Sequence, residues 1–381
     1  MAEAYDVVVV GAGPVGAALA LELHAGALNV ALIEAREHAA PADGLRPLAL
    51  SYGSRLIFER LAVWPQLTPA TPISRIHISQ RGRFGRTALT ASEAGVPHLG
   101  YVVDYAGLIN TLDAAVSGAG LTVVRGARVS TIAHDANSAR VEFTTAQGVR
   151  DCVASLVVIA DGGALAADVE VRTIDYRQSA VTARIQTELP HGNTAYERFT
   201  SEGPLALLPF EQGYGLVWTT RPQEADDLVR ASAPAFLARL HECFGDRVGR
   251  FLGVGARNAQ RLTLRIAQRT TQGRAVLIGN AAQALHPVAG QGFNIGLRDA
   301  WELAAEIRRR GPRDERLLEA YRARRRFDRT GGIAFTDTLI RLFSNDFAPL
   351  AIARGAGLTL LDCLPTVKNF VVRRMIFGAR G

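Results

Sequence analysis

An α/β fold with an inserted, mainly antiparallel sheet and a helical C-terminal tail is predicted by three features of this 381-residue chain. Strand-like apolar runs lead into glycine-bearing turns at "DVVVVGAGPVG" (6–16), "SLVVIADGG" (155–163) and "RAVLIGNAAQ" (274–283). Between them lie alternating runs such as "RIHIS", "AVTARIQT" and "LTLRI", which have the period-two pattern of half-buried strands. Residues 331–381 combine apolar stretches with scattered arginines and read as helical.

The first run is the most informative. Val7 to Val10 read as a buried strand, followed by Gly11, Gly13 and Gly16 in Gly-x-Gly-x-x-Gly spacing, with Pro14 inside the motif. A helical stretch places Ala17, Ala20 and Leu23 on one face, and a second strand, "VALIE", ends at Glu34. In this Rossmann-type unit Gly11 permits the tight turn, Gly13 lets the backbone close on a pyrophosphate, and Gly16 lets helix and strand pack. The helix N-terminus offers N–H groups to the phosphates. Glu34 is placed to accept hydrogen bonds from ribose hydroxyls. The stretch "GVGARN" at 253–258 lacks the third glycine, so one dinucleotide is held tightly and a second binds only in passing.

Composition narrows the function. At 48% hydrophobic content the chain can bury a sizeable core, in two domains. "MAEAYDVVVVGAG" reads as a first strand without the basic lead-in of a signal peptide, and no uncharged run is long enough to span a bilayer, which together predict a cytoplasmic location. Cys152, Cys243 and Cys363 are isolated, with neither redox-pair nor metal-ligand spacing, so they read as reduced and structural and no metal is expected. Lys368 is the single lysine, which removes mechanisms built on a buried catalytic lysine. The formal charge of +7 resides in residues 301–381, with 16 Lys and Arg against 9 Asp and Glu. Without a recognition motif or aromatic interleaving this does not indicate nucleic acid. It fits an anionic membrane surface or a protein partner, while "RARRRFDR" reads as a solvated helix face.

Taken together, "GAGPVGAALA" with Glu34, "ADGG" and "GNAAQALHPVAGQGFNIGLRDA" resemble, in order, the three fingerprints of the single-component flavin-dependent aromatic hydroxylases. Within that group the chain is most similar to the FAD-dependent ubiquinone-biosynthesis hydroxylases, in particular their 2-octaprenyl-6-methoxyphenol hydroxylase branch. That branch carries "GNAAQ" where most relatives have "GDAAH". The resemblance extends to "RPLALSYGSRLIFERLAVW", "YERFTSEGPLALLPF" and "DTLIRLFSNDFAPLAIARGAGL", and so covers essentially the whole chain.

The resemblance implies a Rossmann-like FAD-binding domain of the aromatic hydroxylase type, formed by 1–72, 99–172 and 271–330. An antiparallel substrate domain comes from 73–98 and 173–270, and a helical segment from 331–381. It implies that FAD, reduced by NAD(P)H or another donor, reacts with oxygen to a C4a-hydroperoxide that hydroxylates a polyprenyl phenol. Gly290, Gln291, Gly292 and Asn294 then belong to a loop whose backbone N–H groups meet the flavin edge before a helix starting near Asn294, and Gly279, at the head of the same stretch, is a further cofactor-binding residue. Pro287 fixes the loop on the other side of the ring. Asn280 replaces an aspartate and keeps an acceptor for a ribityl hydroxyl. Asp161 and Gly162 sit at the pyrophosphate side, Leu165 replaces a family serine, and Arg46 reaches the cofactor or the site mouth.

No base is assigned from the sequence. His286 reads as a loop-stabilising residue, and Trp218 and Phe210 as strand residues that need not touch substrate. Alternatives are a flavin halogenase, for which Lys368 is badly placed, an FAD-dependent prenyl reductase, and a non-catalytic FAD-binding member of a ubiquinone-biosynthesis complex. Arg341, Arg354, Lys368, Arg373 and Arg374 are expected to present a charged face of the tail to a membrane surface or partner assembly, consistent with a peripheral position on the inner face of the membrane.

Overall fold

The computed structural model describes residues 3–37, 46–165, 169–343 and 347–379. Positions 344–346 of the quoted tail stretch lie outside the described residues.

The first sheet has a parallel core. Glu3–Val10 pairs in parallel with Val30–Ile33 on one side and Gly148–Ile159 on the other, and Thr122–Val124 and Ala275–Leu277 extend it outward. The uninterrupted valines are explained by burial on both faces. Val7 and Val9 join the core with helices Pro14–Ala25, Tyr105–Gly118 and Gln291–Arg310, while Val8 and Val10 face a second core containing Val129, Val141 and Phe143. The latter residues come from an antiparallel hairpin, Arg128–His134 with Ala139–Thr145, attached to the strand ending at Ile159.

The second sheet has nine strands and is mainly antiparallel. Its centre runs from Asn258–Ala267 through Val171–Thr187, Gly213–Thr220, Pro204–Phe210 and Thr194–Phe199 to Arg75–Gln80, the last pair being parallel. Strict alternation gives it two faces. Val181, Ala183, Leu205, Leu207 and Leu216 pack beneath helices Pro222–Arg230 and Ala233–Phe244, whereas Ala180, Thr182, Ala206 and Val217 face a cavity. Trp218 belongs to the helix-covered face, edge-on to Phe236, and Phe210 is buried in a separate core, so neither reaches the cavity.

The C-terminal helices Leu317–Phe343, Ala348–Cys363 and Pro365–Phe377 lie across that cavity and contribute Phe335, Leu339, Phe343, Leu358, Leu361 and Met375 to its wall. This corrects the expectation of a tail whose cations all face outward. Lys368 is buried and held by Glu93 at 2.7 Å, and Arg354 is buried and donates to the Leu342 carbonyl oxygen at 2.5 Å. A helix that lines a cavity on one side and packs against the sheets on another has only part of its circumference left for solvent. Among the described residues no helix is long and apolar enough to cross a membrane.

Candidate active site

One cavity of about 1350 Å³ joins the two sheets. It exceeds the ~300–1,000 Å³ of an ordinary single-ligand pocket, giving room for two molecules. Gly11, Gly13, Pro14, Glu34, Arg46 and Asp161 line it at one end; Gly162, Gly279, Asn280, Pro287, Gly290 and Gly292 also border it. Gly16, Gln291 and Asn294 do not.

Local packing accounts for the glycine turn. Gly11 has φ +101° and a Cβ there would stand 2.7 Å from the Ala160 carbonyl oxygen; at Gly16 it would stand 2.0 Å from the Gly11 carbonyl oxygen. Gly16 therefore serves the close packing of helix on turn. Gly13 differs: its backbone is extended at φ −62° and ψ 169°, and an added Cβ would meet nothing within 4 Å. The absent side chain leaves open cavity where a ligand backbone can lie.

Glu34 is buried at the end of the second strand. Its carboxylate accepts the Ala12 N–H at 2.7 Å, the Arg36 N–H at 3.0 Å and the Arg36 Nε–H at 2.8 Å. Burial opposes its ionisation, but these donors outweigh burial and hold the carboxyl below its ordinary value. Arg36 was missed in the sequence, although its position two residues after the acidic end of the strand was a usable signal. Arg46 is exposed and stacks on the Tyr105 ring at 4.6 Å. Asp161 turns its carboxylate back on its own loop, accepting from the N–H groups of Gly163 and Leu165 at 2.8 and 2.6 Å. The backbone of Leu165 thus makes a polar contact that its side chain lacks.

The helix expected near Asn294 begins at Gln291, because Gly290 adopts a left-handed conformation, φ 61° and ψ 22°, as its N-cap. No side chain caps it, and Gly292 and Phe293 of its first turn border the cavity. Asn294 is one turn further in. Its Oδ1 accepts from Ser51 N–H and Ser54 Oγ–H at 2.8 and 2.7 Å, while Nδ2 donates to the carbonyl oxygens of Ala49 and Gly290 at 3.0 and 2.6 Å. The side chain clasps the strand Pro47–Ser51 to the loop, and its own N–H lies inside the helix. His286 also supports the loop. Its Nδ1 accepts the Val288 N–H at 3.1 Å, and burial pushes the imidazole down to about 4, so the neutral ring carries its proton on Nε2. Asn280 is exposed to the cavity, and its side chain makes no hydrogen bond among the described residues.

Behind the loop lies an ion network. Asp299 accepts from Gly279 N–H at 3.1 Å, Gln283 Nε2 at 2.6 Å and Arg325 Nε at 2.8 Å, and Arg325 also reaches Asp328, which pairs with Arg298 at 2.9 Å. Gln283 in turn accepts from Arg329 at 2.8 Å. The stretch read as a solvated face therefore buries Arg325 and Asp328. Their spacing from Tyr321, at i+4 and i+7, put them on one helix face and could have revealed it. Two adjacent guanidinium groups outweigh the burial of Asp328 and hold its carboxyl below its ordinary value.

At the other end of the cavity the wall is apolar apart from a few groups. Phe199 stacks on Phe343 with centroids 3.9 Å apart, and both join Val288 of the glycine loop and Leu358 in one core. Among the described residues no group of acidic, histidine or cysteine side chains is arranged to hold a metal.

A family model for an FAD binding domain matches residues 4–330. Over 97% of this chain and 88% of the relative, the sequence is 34% identical to ubiquinone hydroxylase UbiL of Rhodospirillum rubrum. The chain belongs to the FAD-dependent ubiquinone hydroxylase family. It is also 30% identical to the 3-demethoxyubiquinol 3-hydroxylase of Escherichia coli, over 96% of both chains. In fold, it matches the crystal structure of p-nitrophenol 4-monooxygenase PnpA from Pseudomonas putida over 100% of each chain, with TM-score 0.79 at 19% identity. It is an FAD-dependent monooxygenase. The residues present fit that cofactor: the turn is open at Gly13, where an added Cβ meets nothing within 4 Å, and the N-terminus of the helix after Gly290 has no side-chain cap.

Proposed function

We propose that this monooxygenase hydroxylates the aromatic ring of a polyprenyl phenol in ubiquinone biosynthesis, with molecular oxygen as co-substrate and NAD(P)H as transient reductant. The observation that carries the reading is the continuity of the cavity, from the open glycine turn to an apolar chamber beneath the C-terminal helices. FAD, when bound, supplies oxygen activation; the protein supplies orientation, dryness and charge.

In this reading 1–72, 99–172 and 271–330 bind FAD, 73–98 and 173–270 form the substrate domain, and 331–381 close it. Gly11, Gly13 and Pro14 receive the pyrophosphate, with Gly16 supporting the turn from beneath. Glu34 takes the ribose in competition with Arg36, and Arg46 guards the mouth. Asp161 and Gly162 shape the loop beside the pyrophosphate, Gly279 and Asn280 border the ribityl chain, and Pro287, Gly290 and Gly292 meet the ring. Gln291 adds an N–H to the helix start, and Asn294 acts through the loop it clasps. The apolar wall excludes water from the reacting centre.

The long substrate favours a peripheral position on the inner face of the membrane or delivery within a biosynthetic complex. Support comes from Phe347, Ile352, Leu360, Leu364, Val367 and Phe370, all exposed on or beside the last two helices. Deletion of the gene is expected to make cells accumulate a quinone precursor lacking one ring hydroxyl, identified by mass spectrometry. An unchanged quinone profile in a strain without a second hydroxylase would contradict the assignment.

A further inference from the structure

The cavity-facing side of the second sheet carries one carboxylate in an otherwise uncharged row. Pairing aligns Ile78, Glu197, Ala206, Val217, Thr182 and Asn258 across five adjacent strand contacts, and every one of these residues lines the cavity. The Glu197 side chain makes no hydrogen bond and no ion pair among the described residues. Its same-face neighbours on its own strand are Ala195 and Phe199, and the C-terminal helices opposite contribute apolar groups including Phe335, Leu339, Phe343 and Leu358. Alternation sends Tyr196, Arg198 and, on the adjacent strand, Arg75 and His77 to the other face. The charged residues elsewhere around the cavity, Glu34, Arg36, Arg46, Arg128, Asp161 and Arg261, lie on neither of the strands flanking Glu197.

A lone carboxylate in such a place is costly unless its function requires it. The remaining surface of Glu197 opens to the cavity, and Phe199, two residues along, packs in the same core as Val288 of the glycine loop. The carboxylate therefore shares a chamber with the loop at which the ring system of the cofactor would end. We propose that Glu197 is the general base that takes the hydroxyl proton of the bound phenol. The proposal rests on the phenol-hydroxylating reading above.

As a C–O bond forms between the ring and one atom of molecular oxygen, the O–O bond breaks and the other atom leaves as water with two electrons from the reductant. The phenol O–H bond breaks, its proton passes to a Glu197 oxygen, and the electron pair left behind is donated into the ring. The newly oxygenated carbon then loses its proton to water, the electron pair returns through the ring to the original oxygen, and Glu197 gives its proton back to that oxygen, which restores aromaticity and the carboxylate together. Burial pushes the Glu197 carboxyl up to about 7, which makes it a stronger base than an exposed carboxylate while leaving it substantially ionised at neutral pH. A bound phenol that donates to the carboxylate favours the ionised form, so the group should release its proton on binding.

The test uses FAD-loaded protein, oxidised and without reductant, and a short-chain prenylated methoxyphenol as probe. In the wild type the phenol Kd should tighten several-fold as pH rises from about 6 to about 8, and the methyl ether of the probe should show no such trend. Glu197→Gln, which keeps the volume, should bind FAD as before and flatten the phenol profile. With reductant and oxygen added, it should hydroxylate at least ~100-fold more slowly. Glu197→Asp should restore part of the pH dependence. A glutamine variant that keeps both the pH profile and the hydroxylation rate would overturn the role of Glu197 alone. Failure of the wild type to bind the phenol at any pH would overturn the substrate reading, and this proposal with it.

Discussion

Gly13→Val is expected to yield a folded protein that purifies colourless. The backbone at this position is one that valine adopts, and its Cβ meets nothing within 4 Å, so the FAD-free fold has no clash to relieve. The added methyl groups instead occupy the space that the open turn leaves for a pyrophosphate. Overpacking of this kind typically costs ~1–3 kcal/mol, and here the rigid partner is a charged ligand backbone with nowhere to retreat, so the upper end is expected, about a hundredfold in affinity. Gly16→Val is the contrasting control. Its Cβ would sit 2.0 Å from the Gly11 carbonyl oxygen, a contact that backbone cannot yield, and that variant should fail to accumulate as folded protein. The ratio of flavin to protein absorbance, with circular dichroism, separates the two outcomes. Normal flavin content in Gly13→Val would remove the turn from the binding site.

Arg325→Met should be the most destabilising of the conservative-volume changes in the ion network. It leaves Asp299 and Asp328, both nearly inaccessible, facing each other without the guanidinium that bridges them. Breaking a buried pair by removing one partner costs roughly 3–5 kcal/mol. The loss should extend to cofactor affinity, since Asp299 also holds the Gly279 N–H and Gln283. Arg325→Lys should rescue little, because a single ammonium cannot reproduce the forked contacts from Nε and Nη1. Denaturant titration of the FAD-free protein measures the first effect, and flavin fluorescence the second. A stability change below about 1 kcal/mol would show that the network is not a structural support.

Which parts of this architecture are legible in the sequence depends on how local their cause is. The turn from Val10 to Gly16 and the acidic end at Glu34 are set by residues within one strand–helix–strand unit, and spacing suffices to read them. The tight contact of Gly16 with the Gly11 backbone likewise belongs to that unit. Asn294 shows the opposite case. Its partners, Ser51 and Ser54, are 243 and 240 residues away, so the clasp that its side chain makes cannot be read from spacing. The helix start was misjudged because Gly290 reads equally well as loop or cap until its left-handed backbone is known. Arg325 looked solvated because charge alone does not reveal Asp299, its buried acidic partner on another helix. Glu197 sits in "TAYERF" between residues of ordinary strand character, and only the cross-strand register shows that its face is a cavity wall.

The central claim, that the chain joins FAD chemistry to a phenol in one cavity, is tested most directly by isotopic labelling. The FAD-loaded protein is supplied with NADH or NADPH, oxygen-18 gas and a short-chain prenylated methoxyphenol, and the product is read by mass spectrometry. The expected result is a phenol that has gained one hydroxyl group carrying one oxygen-18 atom. Oxidation of the reductant with release of hydrogen peroxide alone, leaving the bound phenol unchanged, would contradict it.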